Sequence, residues 1–104
     1  MEFIETPFFL KASKWLLDDD ELRRLQVTLL LYPAMGVVIP GSGGLRKLRW
    51  VSSGKGKKGG LRVIYYWVTA DDQIYLLSVY KKSSQEDLSS DDIKYLRSVI
   101  EEEI

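Results

Sequence analysis

The stretch from Leu61 to Tyr80 constrains the fold more than any other part of this sequence. Leu61 to Ala70 is dense in β-branched and aromatic residues (Val63, Ile64, Tyr65, Tyr66, Trp67, Val68). Asp71-Asp72-Gln73 makes a turn, and Ile74 to Tyr80 forms the next strand. Such residues suit a pleated, half-buried surface. So short a connection favours antiparallel pairing, because a parallel crossover needs a dozen residues or more. Leu45 to Ser52 adds a strand before them. It alternates in part, with Arg46, Leu48 and Trp50 against Lys47, Arg49 and Val51.

The flanks read differently. Phe3-Ile4 marks a short first strand. Thr6-Pro7 is a helix start, since threonine caps and proline is favoured at the first helical position. Phe9, Ala12 and Leu16 follow at helical spacing, with Phe8 and Trp15 alongside. Asp18-Asp19-Asp20-Glu21 places acids at the positive end of a second helix dipole. Leu22, Leu25, Leu29 and Leu30 continue that helix until Tyr32-Pro33 stops it. Residues 6–31 thus read as a helical hairpin, and 33–43, with Pro33, Gly36, Pro40, Gly41 and Gly43, as a loop. Ser53 to Gly60 is a glycine–lysine loop between strands. Ser89, with Asp92 three residues on, opens a last helix whose apolar stripe is Ile93, Leu96, Val99 and Ile100. The predicted order is β-α-α-β-β-β-α, an α+β fold with an antiparallel sheet and packed helices, in a single domain over 1–104.

Composition removes whole classes of chemistry. The 104 residues include no cysteine and no histidine. Disulfides, thiol nucleophiles, serine–histidine triads, the usual zinc sites and histidine-dependent ribonuclease sites are excluded. No apolar run approaches the roughly 18 residues of a membrane span. The opening residues Met1-Glu2-Phe3-Ile4-Glu5 carry acid where a secretory leader carries base, so a cytoplasmic location and no membrane association are expected.

The formal net charge is zero, but it is unevenly spread. Residues 44–82 hold nine of the fifteen Lys/Arg and two of the fifteen acids, a net +7, which leaves −7 for the rest. A polyanion would meet the middle of the chain. Solvated surface lysines are the plainer reading of any charge run.

Few residue patterns carry chemistry. Gly54-Lys55-Gly56-Lys57-Lys58-Gly59-Gly60 lacks the G-x-x-x-x-G-K-[ST] spacing and joins two strands, so it is no nucleotide-binding loop. It reads instead as a cationic hairpin tip for nucleic-acid backbone, or as a merely soluble loop. The acid runs Asp18–Glu21 and Glu101–Glu103 belong to helix ends and form no acid–base pair. Arg62 stands out inside an apolar strand. It either lies along an edge strand or holds phosphate in two-point geometry. Lys47 and Arg49 share one face of the neighbouring strand, and Lys81-Lys82 close the next.

Several segments in order resemble the RelE/HigB superfamily of toxins, nearest to its phage-type HigB branch. They are Pro33-x-x-Gly36, Gly43-Gly44-Leu45-Arg46-Lys47-Leu48-Arg49, Gly54 through Tyr66, Leu76-Leu77-Ser78-Val79-Tyr80-Lys81-Lys82 and Asp87-Leu88-Ser89. The resemblance spans roughly residues 3–100. It implies a RelE-like fold, a toxin of a type II toxin–antitoxin system, and metal-independent, cofactor-free cleavage of mRNA on the ribosome. The RNA 2′-hydroxyl would be the nucleophile. It further implies contact with ribosomal RNA and a cognate antitoxin, HigA-like with a helix-turn-helix domain. On the family pattern Lys47, Arg49, Arg62 and Lys82 are the catalytic positions. Arg46, Lys55, Lys57, Lys58, Lys81 and Tyr80 are expected to bind RNA or the ribosome. The late tyrosine of RelE falls near Leu88, where this chain has no aromatic; Tyr80, Tyr66 or a ribosomal base is left for its stacking role.

Three readings follow: a ribosome-dependent endoribonuclease, a non-catalytic RNA-binding module using Tyr65, Tyr66 and Trp67 as a stacking surface, and a structural or partner-binding domain.

Overall fold

The computed structural model describes residues 1–51, 60–84 and 87–103. Its strands are β1 (Glu2–Glu5), β2 (Val37–Val38), β3 (Arg46–Trp50), β4 (Leu61–Val68) and β5 (Gln73–Lys81). Its helices are α1 (Pro7–Ser13), α2 (Asp19–Leu31) and α3 (Ser90–Glu103). The five strands form one sheet in the order β1-β5-β4-β3-β2. β2 to β5 pair antiparallel in sequence order. β1 lies parallel on the outer side of β5. The connection from β1 to its parallel partner β5 runs through α1, α2 and the three strands β2 to β4, far longer than a parallel crossover needs.

Local signals start each helix. Thr6 Oγ1 accepts a hydrogen bond from Phe9 N at 3.3 Å and donates to Leu76 O at 2.9 Å, so the cap of α1 is also fastened to β5. Asp18 Oδ1 accepts from Glu21 N at 2.8 Å at the start of α2. Ser89 and Asp92 exchange reciprocal bonds of 3.0 Å each, a capping box at the start of α3.

The helices cover the sheet on both sides. α1 and α2 bury Phe9, Leu25 and Leu29 against Leu48, Trp50, Leu61, Val63, Tyr65 and Leu76. On the other side, Leu96 and Ile100 of α3 pack on Leu45, Ile64, Tyr75, Leu77 and Tyr80. β4 is therefore central and covered on both faces, which is why Leu61 to Tyr65 are buried without alternation. The register shifts between Ile64 and Tyr65, which pair with Ser78 and Leu76, so Leu77 is the extra residue of a bulge. Among the described residues, no helix is long and apolar enough to cross a membrane.

Two features refine the sequence expectation. The segment read as a loop over 33–43 contains the two-residue strand β2, too short to show a period. The sheet is antiparallel except for β1, whose four residues carry no sign of their partner. Trp15, which the sequence sets alongside the apolar stripe of the first helix, sits in the turn between α1 and α2 and is 80% exposed. Phe8 and Val27 are also exposed.

Candidate nucleic-acid interface

Strand alternation and register decide where the cations go. On β4, Leu61, Val63 and Tyr65 face α1 and α2, so Arg62 and Ile64 face the α3 side. Arg49 of β3 pairs with Arg62, and Arg62 pairs with Tyr80 of β5. Arg49, Arg62 and Tyr80 thus form one line across three strands. Lys47 pairs with Ile64 and sits two residues from Arg49 on the same face. β4 is central, so Arg62 is not the edge-strand arginine that the sequence left open.

These groups differ in environment. Arg62 is only 7% exposed, and its Nη1 donates to Leu61 O at 3.1 Å. Arg49 is exposed. Tyr80 is buried, and its hydroxyl has no hydrogen-bond partner among the described residues. Burial pushes the Tyr80 hydroxyl above its ordinary pKa. The charges of Asp87 and Asp92 push it further, while Arg62 opposes them. At neutral pH that hydroxyl is a proton donor. Lys47 Nζ forms an ion pair with Asp87 Oδ1 at 2.7 Å. The bond and charge of Lys47, with a smaller contribution from Arg62, outweigh a desolvation effect and hold the Asp87 carboxyl below the usual carboxylate range.

A cleft of about 370 Å³ adjoins this ion pair. It is lined by β2, Ile39 and Pro40 on one side and by Leu88 and Ile93 on the other, with Lys47 and Asp87 at its polar end. Its size suits a small organic ligand or one nucleoside.

The remaining sequence candidates are placed as follows. Arg46 lies apart from this group. It is on the α2 side, and its Nη1 donates to Gly36 O at 2.7 Å and Ala34 O at 3.3 Å, bracing the chain before β2. Lys81 is exposed at the end of β5, and Lys82 follows, its backbone N–H bonded to Gly60 O at 3.3 Å. Lys55, Lys57 and Lys58 lie outside the described residues. Tyr65 is in the core and its hydroxyl is held by Gly36 and Pro33, so it offers no stacking surface. Asp87 was legible only as part of a resemblance, without a role. An acid five residues beyond a lysine pair, just before a helix cap, is a weak signal until the fold carries it to Lys47.

No protein-family model matches the chain. Among solved structures, a double arginine-to-alanine variant of the E. coli toxin RelE in the free state superposes with a TM-score of 0.59 at 20% identity. The match covers 82% of this chain and 86% of that one. The E. coli RelBE toxin–antitoxin complex matches at 0.59 and 20% identity, over 77% and 94% of the two chains. The isolated E. coli RelE toxin matches at 0.59 and 16% identity, over 94% and 97%. The fold is RelE-like.

Proposed function

We propose that this RelE-like chain is the toxin of a type II toxin–antitoxin system, a metal-independent endoribonuclease that cuts mRNA on the ribosome. The observation that carries the reading is the line Arg49–Arg62–Tyr80 with Lys47 beside it. Rigid strands hold three cations and a phenol on one face, in a chain without histidine or cysteine.

Such a face suits intramolecular transesterification. The RNA 2′-oxygen attacks the adjacent phosphorus, the O2′–P bond forms and the P–O5′ bond breaks. The products are a 2′,3′-cyclic phosphate and a 5′-hydroxyl. One proton leaves the 2′-hydroxyl and one reaches O5′. Charge builds on the non-bridging oxygens, and fixed donors aimed there supply the largest single share of catalysis. Arg62, set in the central strand, is the transition-state clamp. Lys47, Arg49 and Lys82 share the remaining clamp and acid–base roles. The Tyr80 hydroxyl is a further donor beside Arg62. Lys55, Lys57 and Lys58 grip ribosomal RNA backbone, with Arg46 and Lys81 as peripheral cations. The RelBE complex among the structural neighbours supports a cognate antitoxin. We take it to be HigA-like, with a helix-turn-helix domain. The exposed Phe8, Trp15 and Val27 are apolar contacts it can use.

The test is purified protein mixed with translating ribosomes and a defined message, with chelator present. New 5′-hydroxyl ends on the message, lost with Arg62→Ala, are expected. An RNA-binding protein without nuclease activity would shift the ribosomes and leave the message whole.

A further inference from the structure

We infer that the Asp87 carboxylate occupies the phosphate subsite of this face in the unliganded protein, so that a backbone phosphate must displace it to bind. The inference rests on reading the face as an RNA-cleaving interface and adds where the phosphate sits. Asp87 belongs to no helix or strand; it lies in the connection between β5 and α3 and is exposed. It is nonetheless drawn onto β3, with its Oδ1 2.7 Å from Lys47 Nζ. The charge of Arg62 also reaches it. These are two of the cations assigned to the substrate phosphate. A carboxylate presents oxygen acceptors to ammonium and guanidinium groups much as a phosphodiester does. An exposed ion pair is a weak hold, which a polyanion with several contacts can replace. The cleft lined by Val37, Ile39, Leu88 and Ile93 opens at the same ion pair and has room for the adjoining nucleoside.

Binding of a labelled, uncleavable 2′-O-methyl RNA oligonucleotide to the full chain tests this. Asp87→Asn and Asp87→Ser, both conservative changes at an exposed position, are each expected to tighten binding about five- to tenfold. The gain should be clearly smaller in a Lys47→Met background, because the carboxylate then loses the partner that holds it at 2.7 Å. Unchanged or weaker binding overturns the inference, and so does an equal gain without Lys47, which is a bulk charge effect. Asp87→Asn that binds no tighter yet loses cleavage also overturns it and makes Asp87 an acid–base group. A parent protein that leaves ribosome-bound message intact while the tightening occurs sinks the nuclease reading and leaves the subsite standing.

Discussion

Arg49 and Arg62 stand directly opposite one another across the β3–β4 pair. Like charges in that relation destabilise a sheet, whereas a β-branched or aromatic partner would stabilise it. Arg62 is also nearly buried, in a strand whose neighbours are apolar. Neither residue is what packing alone selects. Bound phosphate between the two guanidinium groups would turn that repulsion into attraction.

Arg62→Ala is expected to lower cleavage of ribosome-bound message by a hundredfold or more, the usual loss of about 3–4 kcal/mol for one transition-state donor. Arg62→Lys keeps the charge and loses the planar fork, so it should recover only a small part of the rate. Arg62→Ala should melt near the parent, because relief of the Arg49 repulsion offsets lost packing of the arginine stem; Arg62→Lys keeps both the charge and an aliphatic stem and should also melt near the parent. A variant that cuts at the parental rate makes Arg62 structural.

Tyr80→Phe separates stability from function. The hydroxyl is buried without a partner among the described residues, and such a group costs about 1–3 kcal/mol relative to its hydrated state. Removing it should leave the denaturation midpoint unchanged or raised. If the hydroxyl donates to the substrate, cleavage falls in the same variant. Lower stability in denaturant titration would show that the hydroxyl has a structural partner.

The parts of this fold legible in the sequence are those decided by local chemistry. Thr6-Pro7, Asp18 and the Ser89/Asp92 pair mark helix starts because capping is a contact within one turn. The alternation of Lys47 and Arg49 against Leu48 and Trp50 gives the faces of β3 because the strand period is two. The rest depends on long-range pairing. The placement of β1 beside β5 rests on residues some seventy positions apart. β2 exists because Val37 and Val38 meet Lys47 and Arg46. The candidate site was legible as a set of cations on adjacent strands. The order Arg49–Arg62–Tyr80 needs the register, and the seat of Asp87 needs the turn after β5. Arg46 shows the reverse case. Its charge looks like the others, but its strand parity sends it to the Ala34 and Gly36 carbonyls.

Tyr65 and Gly36 form a structural joint with no role in the proposed chemistry. The Tyr65 hydroxyl accepts from Gly36 N at 2.8 Å and donates to Pro33 O at 2.7 Å. The Tyr65 ring is fully buried. Tyr65→Phe leaves a buried N–H and a carbonyl without this partner, for an expected loss of about 2–4 kcal/mol. A Cβ on Gly36 would lie 2.8 Å from the Tyr65 ring, so Gly36→Ala should be comparably harmful. Denaturant unfolding measures both. If either variant matches the parent, the α2–β2 connection is not held by this joint.

Acid should undo the Lys47–Asp87 contact in a defined window. The bond and charge of Lys47, and then Arg62, hold Asp87 below its ordinary value of 3.8. A carboxyl with a depressed folded-state pKa contributes stability that is fully present above the unfolded value, about 3.9, and is lost as pH falls through the lowered folded value. The contact is therefore intact near neutrality and breaks only below about pH 4. Because Asp87 is exposed, the effect on global stability is small, and the carboxyl itself is the better reporter. In a carbon-detected NMR titration its midpoint should lie below 3.8 in the parent and move up in Lys47→Met. Residual depression in that variant measures the Arg62 field at Asp87. An unmoved midpoint would show that Lys47 does not set the charge state of Asp87, and the placement of that carboxylate over the cationic face would fail with it.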